Sequence, residues 1–248
     1  MSFKINLNEN RPHIKELFKL IKQFTATPKI TVINNTLTIK TVDATNVMRL
    51  DLTLQNKPSK LCNFFAGGTT KHQPINAIAT VDLEELLKAL TVTSNQITIA
   101  NDKVTVDGTP IKTYPTFKSD LPPVNMQTTY TANVNLAQFW DAIKDLKFLA
   151  AITAERDIIT IKHNNGDGTN TTKTVNACWD SQQTERNPNT LLSCVYLKQL
   201  IKSLLSLAET TKISFAYDNP FVFDVKLKYG MGSITLYIAP AIHLEVKC

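Results

Sequence analysis

Four stretches of the chain carry apolar residues three and four positions apart, the spacing that gives an amphipathic helix one buried face. In residues 12–25 the stripe is Ile14, Leu17, Phe18, Ile21 and Phe24; in residues 136–149 it is Phe139, Ala142, Ile143, Leu146 and Leu149. The other two read V-D-L-E-E-L-L-K-A-L at 81–90 and V-Y-L-K-Q-L-I-K-S-L at 195–204. Elsewhere apolar and polar positions alternate among β-branched residues, which predicts strands over 29–33, 37–40, 48–54, 104–106, 157–162, 171–177, 221–228 and 233–238. Further β-like runs precede the second and fourth helices (75–80, 190–195) and follow them (97–99, 213–215). Turn residues stand between strands at Asn34-Asn35, at Asn165-Gly166-Asp167-Gly168 and at Tyr229-Gly230.

The pattern occurs twice. At an offset of 195 − 81 = 114, Val81/Val195, Leu83/Leu197, Leu86/Leu200, Lys88/Lys202 and Leu90/Leu204 coincide, with Leu87/Ile201 a near match. At an offset of 125, Lys19/Lys144 and Lys22/Lys147 coincide in the other helix pair. Such self-similarity marks a repeated structural unit. From Thr109 to Met126 the chain holds Pro110, Pro115, Pro122 and Pro123 and no periodicity, as an extended connector does. The expected organisation is α+β: two similar β-rich domains, 1–109 and 128–248, joined by a connector at 110–127.

Composition adds modest constraints. Hydrophobic residues make up 43% of the 248, enough for buried cores, and the net charge of +6 permits a polyanionic partner. Only Arg11, Arg49, Arg156 and Arg186 are arginine among 27 basic residues. Cys62, Cys178, Cys194 and Cys248 are far apart and include no C-x-x-C, so reduced thiols are expected, with no zinc site. The absence of a leader and of an apolar run near the ~18 residues of a membrane span leads us to expect a soluble, intracellular protein with no membrane partner.

Two segments carry a family resemblance. V-D-A-T-N-V-M-R-L-D-L-T-L at 42–54 and D-N-P-F-V-F-D-V-K-L-K-Y-G-M-G-S-I-T-L-Y-I-A-P-A-I at 218–242, with the order of four helices and a connector, resemble sliding clamps of the proliferating cell nuclear antigen (PCNA) type, found in archaea, eukaryotes and some of their viruses. The resemblance implies the DNA-clamp fold: a ring of three two-domain subunits, a homotrimer, with sheets outside and helices on the inner face. Such a ring is threaded by duplex DNA without regard to sequence. It would be a processivity factor of DNA replication and repair, tethering DNA polymerase and other enzymes, set on DNA by a clamp loader, and residing with the DNA in nucleus or cytoplasm. The family has no active site and needs no cofactor. Two alternatives stay open: a clamp-like factor that remains monomeric or dimeric and holds DNA by charge, and one subunit of a heterotrimeric ring.

The residues agree with that expectation in kind. Lys15, Lys19 and Lys22 lie opposite the apolar stripe of the first helix; Lys144 and Lys147 repeat this in the second half; Lys88 and the pair Lys198 and Lys202 occupy the other two helices. Lysine suits a protein that tracks along DNA, because a mobile point charge attracts any phosphate, whereas bidentate arginine reads guanine edges. Glu16, Glu84, Glu85, Asp141 and Asp145 dilute the positive charge. By resemblance, a pocket for partner peptides is formed by Val42, Val47, Leu121, Pro122, Tyr237, Ala239, Pro240 and Ile242. Arg49 stands where the family tends to be apolar, and the chain is basic where the family is usually acidic. For ring closure, the run 103–111 of one subunit is expected to pair with 171–178 of the next.

An enzyme reading finds no constellation. His13, His72, His163 and His243 are scattered, Gly67-Gly68-Thr69-Thr70 lacks the phosphate-loop pattern, and Asn165-Gly166-Asp167-Gly168 lacks the remaining calcium ligands.

Overall fold

Where the first half alternates apolar and polar residues it forms strands with one buried face, and its 3.6-residue stripes form helices that cover that face. The computed structural model describes residues 2–7, 10–34, 36–55, 76–116, 121–124, 130–155, 157–165, 169–182, 189–216 and 219–241. Two units result: Met1–Pro123 with Lys226–Ile234, and Val124–Val225 with Thr235–Cys248.

The first unit contains β1 (Phe3–Asn6), α1 (Arg11–Lys22), β2 (Lys29–Ile33), β3 (Thr36–Val42), β4 (Met48–Gln55), β5 (Ala77–Val81), α2 (Leu83–Ala89), β6 (Gln96–Ala100), β7 (Lys103–Val106), β8 (Thr109–Ile111) and β9 (Thr113–Tyr114). Its strands make two antiparallel arrays, ordered β1-β6-β7-β8 and β4-β3-β2-β5-β9. Ile14, Leu17, Phe18 and Ile21 of α1 are buried, as are Leu83 and Leu86 of α2.

The second unit contains β10 (Tyr130–Val134), α3 (Leu136–Ile143), β11 (Leu149–Glu155), β12 (Ile158–Asn164), β13 (Asn170–Gln182), β14 (Asn189–Ser193), α4 (Cys194–Leu204) and β15 (Ala208–Phe215). The last hairpin, β16 (Phe221–Leu227) and β17 (Gly232–Ile238), belongs to it except for the tip at 226–234, which clusters with the first unit. The strand order is β14-β11-β12-β13-β10-β15-β16-β17. Phe139 of α3 packs edge-on against Phe223 (5.7 Å between ring centroids), and Phe215, Phe221 and Phe223 continue the cluster.

The two units share most of their pairing. β5-β2-β3-β4 matches β14-β11-β12-β13, and β1 pairs with β6 as β10 pairs with β15. The tip of the final hairpin turns through Tyr229 (φ 59°) and Gly230 (φ 64°), a turn type that needs left-handed residues. At Gly232 (φ 145°) a Cβ would meet the Thr53 carbonyl oxygen at 2.0 Å, so only glycine fits.

The structure departs from the expected elements in four places, the first being β1 and β10, two strands that the expected elements do not include. The third helix ends at Ile143, not at 149; Leu149 opens β11, a strand missing from the sequence reading. The aperiodic connector holds β8 and β9 in its first residues, because Pro110 sits on a strand at the end of its sheet, where a missing N–H costs nothing. Finally, the run 103–111 folds back on itself at Asp107 (φ 48°) and Gly108 (φ 86°). β7 is therefore paired on both sides, and within the run 103–111 β8 is the strand at an edge.

Candidate nucleic-acid interface

Each unit presents its two helices as a pair tied by one lysine. In the first, Lys15 of α1 donates from Nζ to the carbonyl of Leu90, the residue that ends α2 (2.9 Å). In the second, Lys198 of α4 donates to the carbonyl of Leu146, just past α3 (2.7 Å). A cation at a helix C-terminus satisfies a carbonyl that lacks an intrahelical partner and meets the negative end of the dipole. Arg11 does the same beyond α2, donating to the carbonyls of Ser94 (2.7 Å) and Val92.

The other lysines of the first helix pair are matched by carboxylates. Lys19 pairs with Glu16 (2.6 Å), Lys88 with Glu84 (2.8 Å), and Lys22 reaches the same Glu84 at 3.9 Å. Hydrogen bonding and charge from Lys88 hold the Glu84 carboxyl below its usual range. In the second unit Lys144 pairs with Asp141 (2.8 Å), which raises its ammonium. Lys147 and Lys202 are exposed and make no ion pair among the described residues. Lys173 of β13, absent from the sequence reading, takes Asp145 at 3.6 Å and so removes a carboxylate that would oppose them. These ion pairs are exposed and therefore weak, and a phosphate can displace their carboxylates at little cost.

The helix starts differ in charge. Asp82 caps α2, its Oδ1 accepting from the backbone N–H groups of Glu84 (3.0 Å) and Glu85 (3.1 Å), while Tyr114 donates to Oδ2 (2.9 Å). The backbone hydrogen bond from Glu85, the larger cause, depresses the Asp82 carboxyl. Asn135, a neutral residue, caps α3 in the same geometry.

Of the residues expected to bind partner peptides, Val42, Val47, Leu121 and Pro122 lie in the first unit and Tyr237, Ala239 and Pro240 in the second; Ile242 lies outside the described residues. Val42 and Val47 flank a turn closed by buried Asp43, which accepts from Met48 N–H (2.7 Å) and from the Thr45 hydroxyl. Burial raises the Asp43 carboxyl, and these hydrogen bonds outweigh it and lower it on balance. Arg49 grips Asp51 with two nitrogens (2.8 and 2.9 Å) and donates its third to the Pro122 carbonyl, fastening the connector to β4. The departure from an apolar residue thus has a structural use. In the second unit the Ala241 N–H donates to Leu191 (2.7 Å) and fixes the C-terminal segment along β14.

Among the described residues no group of three His, Cys, Asp or Glu side chains is arranged to hold a metal, and no helix is long and apolar enough to cross a membrane. The segments 67–70 and 166–168, with His72, His243, Cys62 and Cys248, lie outside the described residues. His163 is buried, with Nδ1 2.9 Å from the Leu149 carbonyl, and anchors the start of β11.

The class defined by this architecture is a duplicated α+β fold, each copy carrying its own helix pair. Solved structures identify it as the PCNA-like clamp fold. The chain is similar to the PCNA2–PCNA3 complex of Sulfolobus tokodaii, with TM-score 0.73, 18% identity, and coverage of 97% of this chain and 99% of that one. It is also similar to PCNA of Thermococcus kodakaraensis, with TM-score 0.76, 15% identity, and coverage of 96% and 100%. No protein-family model matches the sequence, and no curated protein matches it.

Proposed function

We propose that the chain is the subunit of a DNA sliding clamp, a ring that encircles duplex DNA and tethers polymerases and other replication and repair enzymes. The observation that carries this reading is a pair of helices in each unit, each buried on one face, with lysines on α1, α2 and α4 and just past the end of α3, within a fold similar over nearly its whole length to two clamps. Lys19, Lys22, Lys88, Lys144, Lys147 and Lys202 supply sequence-independent attraction to phosphates from the inner face. Lys15 and Lys198 hold the helix pairs together and add charge from fixed positions. Val42, Val47, Leu121, Pro122, Tyr237, Ala239, Pro240 and Ile242 receive the docking peptides of client enzymes, and a loader closes the ring on DNA.

Ring closure needs two open strand edges. β8 ends its sheet, and residues 170–176 of β13 pair only with β12, since β10 takes the strand from residue 177 onward. A second reading, a ring of unlike chains, is favoured by a similar structure that is a PCNA2–PCNA3 complex. Light scattering on the protein leaving a sizing column separates them. Three copies of 27.7 kDa, or 83.1 kDa, support the homotrimer; 27.7 kDa supports the hetero-ring subunit, or a factor that never closes around DNA.

A further inference from the structure

Between α3 and β11 the chain is neither helix nor strand from Lys144 to Phe148, yet it carries Lys147, one of the lysines proposed above to meet phosphates. What holds this segment comes from neighbouring elements. Lys198 of α4 donates to the Leu146 carbonyl (2.7 Å), and the Cys194 N–H, at the start of α4, donates to the Phe148 carbonyl (2.8 Å). Two further ties come from one side chain of β12. His163 Nδ1 lies 2.9 Å from the Leu149 carbonyl, and the Lys147 N–H donates to Nε2 at 3.5 Å, the long end of the hydrogen-bond range.

These partners fix the proton on the ring. A carbonyl can only accept, so Nδ1 carries the hydrogen; an amide N–H can only donate, so Nε2 is bare. The ring that fits is therefore neutral, and a second proton would set a donor against the Lys147 N–H. It would also charge a side chain that is buried (3% exposed). Among the described residues the charged groups about it are mostly cations. Lys147 and Lys198 come from the elements just named, and Lys173 sits on β13 two residues from Thr171, the cross-strand partner of His163. Asp145 is taken by Lys173 (3.6 Å), and Lys162 of β12 lies by alternation on the opposite face. Burial pushes the Cys194 thiol up to about 11, so it stays uncharged.

We propose that neutral His163 is the positioning residue for Lys147: it sets the backbone from which this lysine reaches phosphate and releases it when the ring takes a proton. The effect on DNA rests on the clamp reading; the hydrogen-bonded clasp itself does not.

The test follows amide exchange in the full chain, read as protection so that the intrinsic pH dependence cancels, from about pH 8 to about pH 5, the span in which imidazoles change charge. Protection at Lys147 should fall about fivefold, the weight of one hydrogen bond, while Ile159 and Ile161 in the core of β12 keep theirs. His163→Gln, with a donor and an acceptor at every pH, should hold Lys147 alike at both ends. On DNA at about pH 8, Lys147→Ala should lower the slope of log K against log salt by ~0.9 in the native chain and by less than half that in His163→Phe. Should His163→Phe fail to fold, the native chain at about pH 5 takes its place in that comparison. Protection at Lys147 that ignores pH, or a fall shared equally by Ile159 and Ile161, would overturn the proposal, as would an equal Lys147 contribution with and without the ring. Exchange needs no DNA, so failure of the clamp reading would show as lost DNA binding beside an intact response at Lys147.

Discussion

The two units share one strand pairing scheme and differ in how they close it. β4 of the first unit has 8 residues and does not pair with β1, the strand that corresponds to β10. Its counterpart β13 has 13 and, after pairing with β12, goes on to pair with β10, so that the second unit's strands form one continuous sheet. The helix pairs diverge in parallel. Four lysines of the first are each matched, by three contacts to Glu16 or Glu84 and one to a carbonyl; the second leaves Lys147 and Lys202 uncommitted. A duplicated fold can thus keep its scaffold while its surface charge is redistributed, because backbone pairing and exposed charge are energetically almost independent.

The largest test of this contrast is in the cores. Phe139→Ala removes the ring that seats α3 on the second unit's aromatic cluster and should cost about 3–5 kcal/mol in urea unfolding. Leu17→Ala in α1, among aliphatic neighbours, should fall at or below that; a loss under ~1 kcal/mol at Phe139 would mean that α3 is not anchored there. Next comes DNA. Replacing Lys147 and Lys202 with alanine should lower the slope of log K against log salt by about 1.8, two phosphate contacts at ~0.9 each. Replacing Lys19 and Lys88, which already hold carboxylates, should change it by less than half as much. Equal slopes would erase the proposed asymmetry.

A smaller effect should be alike in both units. Lys15→Met and Lys198→Met each remove a cation from a helix-end carbonyl and should cost about 1 kcal/mol or less, given partial exposure. A loss confined to one variant would show that the ties are not equivalent. Smallest is the response to acid. The folded Asp82 carboxyl is depressed, so its capping contribution is present above the ordinary aspartate range and is lost as pH falls through the lower folded value. Asn135 does not titrate. Amide hydrogen exchange at acid pH should therefore quicken at Glu84 and Glu85 but not at Ala137 and Gln138, and Asp82→Asn should remove the difference.

How much of this was readable beforehand depended on periodicity. All four helices and most strands declared themselves, since Ile14, Leu17, Phe18 and Ile21 can share a face only at 3.6 residues per turn. β11 did not: Ala150, Ile152 and Ala154 alternate inward, but alanine weakens the strand signal and Leu146 and Leu149 extend the helical spacing across the break. β8 and β9 were hidden by prolines that ordinarily mark a connector. The lysine types and positions were readable, but their division between charge and tie was not. A backbone carbonyl at the end of another helix, as Lys15 and Lys198 find, leaves no mark in sequence, nor does the sharing of Glu84 by two lysines.

The central claim is that the chain surrounds DNA instead of adhering to it. The direct test is to bind the protein to a nicked circular plasmid, raise the salt until charge contacts are screened, and then linearise half of the sample. The clamp reading predicts protein retained on the circle and released from the cut ends. Equal retention, or equal loss, on the two forms would contradict it.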